Sequence, residues 1–179
     1  MRALLDTCVM YPTVMRALLL GVAKRGAFEP RWSDRILEEW ARAARKLGPT
    51  GEAQARAEIA LLKSDWPSHA LRWPEGLEAR LYLPDPADIH VLAAAIAGSC
   101  DVIVTVNAKD FPRHILAEEG LTRIDPDTLL RGQWDKTPEL VDTVVDEVLA
   151  EANRLSGKVW EKRALLKKAR LPRLAKLYA

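Results

Sequence analysis

The side chains best placed for chemistry in this sequence are acids standing at the ends of regular elements. Asp85 and Asp88 open a run, 89–97, that holds hardly a polar residue. A β-rich run, 102–106, comes next, and the polar turn after it holds Asn107, Lys109 and Asp110. Far upstream, Asp6 ends the strand-like run 3–5, and Glu38 and Glu39 lie inside a helix-like segment. Carboxylates gathered in one cleft raise each other's pKa unless a cation neutralises them. All-oxygen donor sets suit hard cations, Mg²⁺ or Mn²⁺. Such ions can activate water and stabilise the leaving oxygen of a phosphodiester. Each acid also has a plainer account. Asp6 and Asp85 could cap helices, and Asn107 and Asp110 could be ordinary turn residues. Asp88 lies one turn into its helix, where capping explains it less well.

The helical wheel separates Glu38 from Glu39. Ile36, Trp40, Ala43 and Leu47 form an apolar stripe, with Glu39 at its edge and Glu38 nearly opposite. Glu38 can pair with Arg42 in solvent. Glu39 is expected to point towards the sheet, where an unpaired charge is costly and a metal would remove the cost.

The elements that must position these acids alternate between helix and strand. Strands are expected at 3–5, 69–73, 102–106 and 121–124. Helices are expected at 13–24, 34–47, 51–63, 85–98, 113–119 and 126–130, with 77–83 either a short helix or a strand. Ser33 and Asp85 are N-caps, and Pro86 suits a first helical position. This alternation predicts a parallel α/β sheet up to about residue 131. Parallel sheets bind ligands outside the carboxyl ends of their strands, where Asp6, Asn107 and Asp110 fall. After Gly132 the character changes. An amphipathic helix is expected at 138–155, then basic helical pieces at 158–170 and 174–178 around Pro172. The division expected is a domain at 1–131 and a helical, basic extension at 132–179.

The chain has 179 residues, 49% apolar and 29% charged, which excludes a disordered polymer. Its apolar runs are too short to cross a bilayer, and the acid at position 6 argues against a secretory signal. Two cysteines without metal-ligand spacing, Cys8 and Cys100, read as free buried thiols in a reducing cytoplasm. The net charge of +2 hides an asymmetry: residues 154–179 carry nine Lys/Arg and one acid, Glu161, whereas 1–153 carry 18 basic and 24 acidic residues. A basic tail of this kind suits a polyanion such as RNA, or an acidic partner. Alternatively Leu155, Val159, Leu165, Leu166 and Leu171 pack, and the charges keep the tail soluble. His69, His90 and His114 show no ligand spacing and read as structural or surface residues. The tryptophans read as core or helix-packing residues, Ser33 and Thr105 as cap and strand residues that could also line a site, and Arg16 and Arg35 as cations that could hold phosphate but, on exposed helices, read as solvated.

Four stretches together resemble one family: LLDTCVMYP (4–12), WSDRILEEW (32–40), DPADIHVLAAAIAG (85–98) and VTVNAKDFP (104–112). In this order they are similar to the PIN-domain nucleases, in particular the VapC-type toxins of toxin–antitoxin pairs. The resemblance implies a three-layer fold with a central parallel sheet flanked by helices. The tail resembles the helical extension of one branch of these toxins. It implies metal-binding, catalytic acids at Asp6, Glu39 and Asp88, with the fourth position at Asn107 or Asp110. Asn107 is an amide, so Asp110 supplies that charge or the site has three carboxylates; Asp85 is a further candidate. The activity implied is a Mg²⁺- or Mn²⁺-dependent endoribonuclease, with an RNA substrate, a cognate antitoxin protein, no membrane, and a homodimer left open. Two other functions compete. One is a catalytically silent RNA- or protein-binding module on the same fold, motivated by Asn107 and the tail. The other is a phosphotransfer domain with Asp6 as nucleophile, which would need an Asp where Cys8 stands.

Overall fold

Two short apolar runs build the centre of the molecule. Ala3, Leu4 and Leu5 are fully buried, and so are Ile103 and Val104. They lie side by side as parallel strands, with Leu4 opposite Ile103 and Leu5 opposite Val104. The computed structural model describes residues 1–178. Strands β1 (Arg2–Leu5), β2 (Glu29–Ser33), β3 (Ala70–Leu71), β4 (Val102–Val104) and β5 (Thr122–Ile124) form a five-stranded sheet in the order β3-β2-β1-β4-β5. The pairings of β1 with β2, β1 with β4, and β2 with β3 are parallel. Their carboxyl ends therefore share one edge. The fold is α/β, a central parallel sheet flanked by helices with further helices at the C-terminal end, as the sequence predicts.

The chain divides into two compact units, Met1–Tyr11 with Glu29–Arg123, and Pro12–Phe28 with Ile124–Ala179. The first holds the sheet and helices α1 (Thr7–Met10), α3 (Asp34–Ala43), α4 (Gly51–Asp65), α5 (Ile89–Ala97) and α6 (Arg113–Glu118). Ser33 caps α3 by accepting the Ile36 N–H at 3.2 Å, and Ile36, Leu37, Trp40 and Ala41 form its buried face. α5 buries every residue from Val91 to Ala95, as an apolar run without polar interruption must, and with them His90. Gly98 ends it where a Cβ would stand 2.5 Å from Leu71 Cδ1, so glycine admits the close approach of β3.

Several boundaries depart from expectation. β2 is absent from the sequence reading because Pro30 cannot donate to a ladder. It nevertheless pairs in register, Ala3 opposite Pro30, and buries Pro30 and Trp32 alternately. α3 ends at Ala43 and tightens into a 3-10 turn at Ala44–Leu47. Residues 77–83 hold only a 3-10 turn, Glu78–Arg80, and another, Pro86–Asp88, precedes α5.

The second unit is helical. It comprises α2 (Thr13–Lys24), α7 (Pro126–Lys136), α8 (Pro138–Ser156), α9 (Lys162–Lys168) and α10 (Pro172–Ala175). α8 buries Val141, Val144 and Val145, and Gly157, at φ +64°, stops it. The basic end of the chain is tied down. Leu165, Leu166, Leu171 and Leu174 are buried. Asp127, itself buried, accepts the backbone N–H groups of Arg173 and Leu174 at 2.8 and 3.0 Å. Tyr178 donates to Asp142 at 2.7 Å. Leu155 and Val159, which the packing alternative would also bury, are exposed. Among the described residues, no helix is long and apolar enough to cross a membrane.

Candidate active site

The end of β1 supplies the most enclosed acid. Asp6 is only 5% exposed and is the N-cap of α1, where it accepts the Thr7 N–H at 2.7 Å. Its other oxygen accepts the Thr105 hydroxyl at 2.7 Å and the Cys8 thiol at 3.1 Å. Burial first, and then the Asp6 charge, push the Cys8 thiol up to about 12, so Cys8 is a neutral donor. Capping and site lining are thus one geometry here: the bonds that cap α1 also fix the carboxylate at the strand edge.

The 3-10 turn before α5 and the turn after β4 bring three more acids together. Oxygens of Asp85, Asp88 and Asp110 all lie within 4.8 Å of one another. Asn107 bridges two of them, donating to Asp110 at 2.6 Å and more distantly to Asp88 at 3.5 Å. The Asn107 backbone N–H in turn donates to Thr105 Oγ1 at 3.0 Å, so one threonine serves both Asp6 and this turn. Burial, and then the charges of Asp6, Asp85 and Asp110, raise Asp88 to about 6. Asp85 also caps its turn through the Ala87 N–H at 2.9 Å.

Glu39 reaches the same neighbourhood from α3. Its Oε2 accepts the Thr7 hydroxyl at 2.6 Å, next to Asp6 in the chain. His90 Nε2, in a ring 1% exposed, stands 2.8 Å from Glu39 Oε1, an ion-pair distance without hydrogen-bond alignment. Arg35 lies 3.7 Å from the same oxygen. Burial pushes the Glu39 carboxyl up, but the imidazole, the Thr7 hydroxyl and Arg35 outweigh it and leave it below its ordinary value. Glu38 is instead taken up by Arg42 at 2.9 Å and Arg56 at 2.8 Å, well outside this cluster of contacts.

The structure therefore gathers Asp85, Asp88 and Asp110 tightly and places Asn107 between Asp88 and Asp110. Asp6 acts on Asp88 through space, and Glu39 joins through Thr7 and His90. Sequence reasoning missed Thr7, Cys8 and His90 as neighbours of the acids. The signal available for His90 was its position two residues after Asp88 inside an otherwise apolar helix. Ser33, by contrast, is spent on capping α3.

These acids are oxygen donors of the kind that hard divalent cations accept, and the raised Asp88 marks a negative cluster that a cation would relieve. A family model described as "PIN domain" matches residues 2–109, more than half of the chain and the span that holds Asp6, Glu39, Asp88 and Asn107. Over 58 residues the chain is 40% identical to a Mycobacterium tuberculosis protein described as "Putative ribonuclease VapC50". That stretch covers 32% of this chain and 34% of the relative, so only about a third of the relative's length is matched. No solved structure matches. By its sheet, its strand-edge acids and the extent of this match, the chain belongs to the PIN domain family.

Proposed function

We propose that this chain is a Mg²⁺- or Mn²⁺-dependent endoribonuclease of the VapC type, acting in the cytoplasm and neutralised by a cognate antitoxin. The observation that carries the reading is the cluster of Asp85, Asp88 and Asp110 within 4.8 Å at the strand edge of a PIN-domain chain, with Asp6 close enough to raise Asp88. The name of the partial relative supports ribonuclease and VapC-type chemistry. That name is also what supports an antitoxin partner.

Asp88, Asp110 and Asp6 would hold the cation, with Asp85 as a further ligand. When bound, the cation supplies charge neutralisation at the scissile phosphodiester and Lewis-acid activation of water. The chain's own residues do the positioning. Asn107 fixes Asp110 with a short hydrogen bond, and Thr105 and the α1 N-terminus fix Asp6. Glu39, held below its ordinary pKa, stays ionised and is a further candidate ligand for the cation. Asn107 is the observation behind a second reading, a silent RNA- or protein-binding module, because an amide here brings no charge to a cation.

Incubation of single-stranded RNA with the full chain, with Mn²⁺ or Mg²⁺ against EDTA, separates the two. Metal-dependent cleavage that disappears in Asp6→Asn and Asp88→Asn is expected. Glu39→Ala should abolish cleavage and Glu38→Ala should leave it nearly unchanged. Binding of RNA without cleavage under every metal condition would establish the silent module instead.

A further inference from the structure

A pocket of about 320 Å³ opens beside this site, lined by Ser33, Asp34, Arg35, Leu71, Arg72 and Trp73. β2 and β3 end there, paired with Ser33 opposite Leu71. The strands are parallel, so the pocket lies on the same carboxyl edge as Asp6 and Asn107. Its charge is positive. Asp34, its one carboxylate, is engaged by Lys63 at 2.7 Å. Arg72 is exposed and has no hydrogen-bond or ion-pair partner among the described residues. Arg35 makes only two long contacts, 3.7 Å to Glu39 and 3.7 Å to Glu78. Trp73 is half-buried, and its one polar atom, Nε1, donates to Glu78 Oε1 at 2.9 Å. The indole N–H is thereby satisfied and its orientation set, and what the ring offers a ligand is its face. Trp73, Glu78, Arg35 and Glu39 thus form a chain of contacts leading from the pocket to the candidate catalytic acids.

An aromatic face beside two guanidinium groups is the chemistry that binds single-stranded nucleic acid: every base can stack on a ring, and each phosphate attracts a cation. We infer that this pocket is a nucleotide subsite flanking the reaction centre, with Trp73 stacking a base of single-stranded RNA and Arg72 and Arg35 holding adjoining phosphates. The inference rests on the ribonuclease reading and assigns its substrate-positioning residues. Arg35 exchanges its long carboxylate contacts for a phosphate, and Trp73 sets the register of the strand against the acids.

The test is binding of a 2′-O-methyl single-stranded oligonucleotide, which resists cleavage, to the full chain in Mn²⁺ across a salt series. Trp73→Ala should weaken binding on the order of ten-fold or more with an unchanged salt slope, because stacking releases no counterions. Trp73→Phe should recover most of that loss. Arg72→Ala, at an exposed position that folding does not need, should reduce the slope by about 0.7. On a cleavable RNA, Trp73→Ala should raise KM more than it lowers kcat. If Trp73→Ala fails to fold, the Arg72→Ala slope and the Trp73→Phe affinity decide. Wild-type affinity and slope in both Trp73→Ala and Arg72→Ala, with RNA cleavage intact, overturn the subsite and leave the ribonuclease reading standing. Loss of a protein partner with RNA binding unchanged also overturns it and makes the pocket a protein dock. A wild-type chain that neither binds nor cleaves RNA brings down both.

Discussion

Asp88 concentrates the electrostatics of the acid cluster in one carboxyl. Its pKa rises from the ordinary 3.8 to about 6 through burial and then the charges of Asp6, Asp85 and Asp110. For an acid, a folded pKa above the unfolded one means that ionisation opposes folding. The penalty is absent below about pH 4, grows as pH rises through the interval, and is complete above about pH 6. In EDTA, Asp88→Asn is therefore expected to raise the melting temperature at pH 8 and to change it little at pH 4. With Mn²⁺ present the sign should reverse, since the wild type gains stability by mass action and the variant lacks a ligand. An equal shift at both pH values in EDTA would mean that Asp88 is not in a repulsive cluster. The acids themselves were legible in the sequence, because a carboxylate at a strand end or a helix start needs a reason to be there. The wheel also assigned Glu38 and Glu39 to different surroundings, and their partners agree. Two steps of that argument did not hold: Leu47, placed on the apolar stripe, is exposed, and Glu39 is not an unpaired charge awaiting a metal, because Thr7, His90 and Arg35 surround it. His90 stood out as the one polar residue of an apolar helix, but its approach to Glu39 across α3 and α5 depends on tertiary packing, which no local spacing encodes.

Elements follow the same division between local and non-local causes. The caps at Ser33 and Asp85 are local, as is the cap that Asp125 places on α7, and each side chain accepts a backbone N–H two or three residues on. β2 was invisible because its proline speaks against a strand, and only the neighbouring strands β1 and β3 make the pairing worthwhile. Helix α2 shows a tertiary cause acting through a glycine. A Cβ on Gly21 would stand 2.5 Å from Val144 Cγ1, on a β-branched side chain whose rotamer is stiff. Helix propensity alone favours Ala over Gly by up to about 1 kcal/mol. Overpacking costs about 1–3 kcal/mol and should win. Gly21→Ala is thus expected to lower the thermal midpoint, and a rise would show that α2 and α8 do not pack this closely. In the same pair, Arg25 bonds Glu147 at 2.5 Å on an exposed rim, where an ion pair contributes at most about 1 kcal/mol. The packing at Gly21, rather than the ion pair, decides how well this contact holds.

At the scale of the whole chain, the tail's charges and its apolar residues have separate roles. Leu165, Leu166, Leu171 and Leu174 are buried within the second unit, so deleting residues 158–179 would strip that unit of part of its own core. Charge substitution is the cleaner probe. Lys162 is engaged by Asp146 at 2.5 Å, and Arg173 donates to Thr128 at 2.9 Å. Lys158, Arg163, Lys167 and Arg170 are exposed with no ion-pair partner among the described residues. Arg170 also stands at φ +62°, the left-handed position after a helix that glycine fills at least cost. If these four side chains meet RNA phosphates, each contact releases a counterion and adds about 0.7 to the salt slope. A variant with all four changed to Gln should therefore bind single-stranded RNA more weakly, with a slope reduced by up to about 3, while its melting temperature stays near the wild-type value because no buried group is touched. An unchanged slope would show that these cations only keep the surface solvated. An unchanged slope together with loss of an antitoxin would make the tail a protein-docking element, and RNA would then be gripped by the strand-edge pocket and the acid site alone.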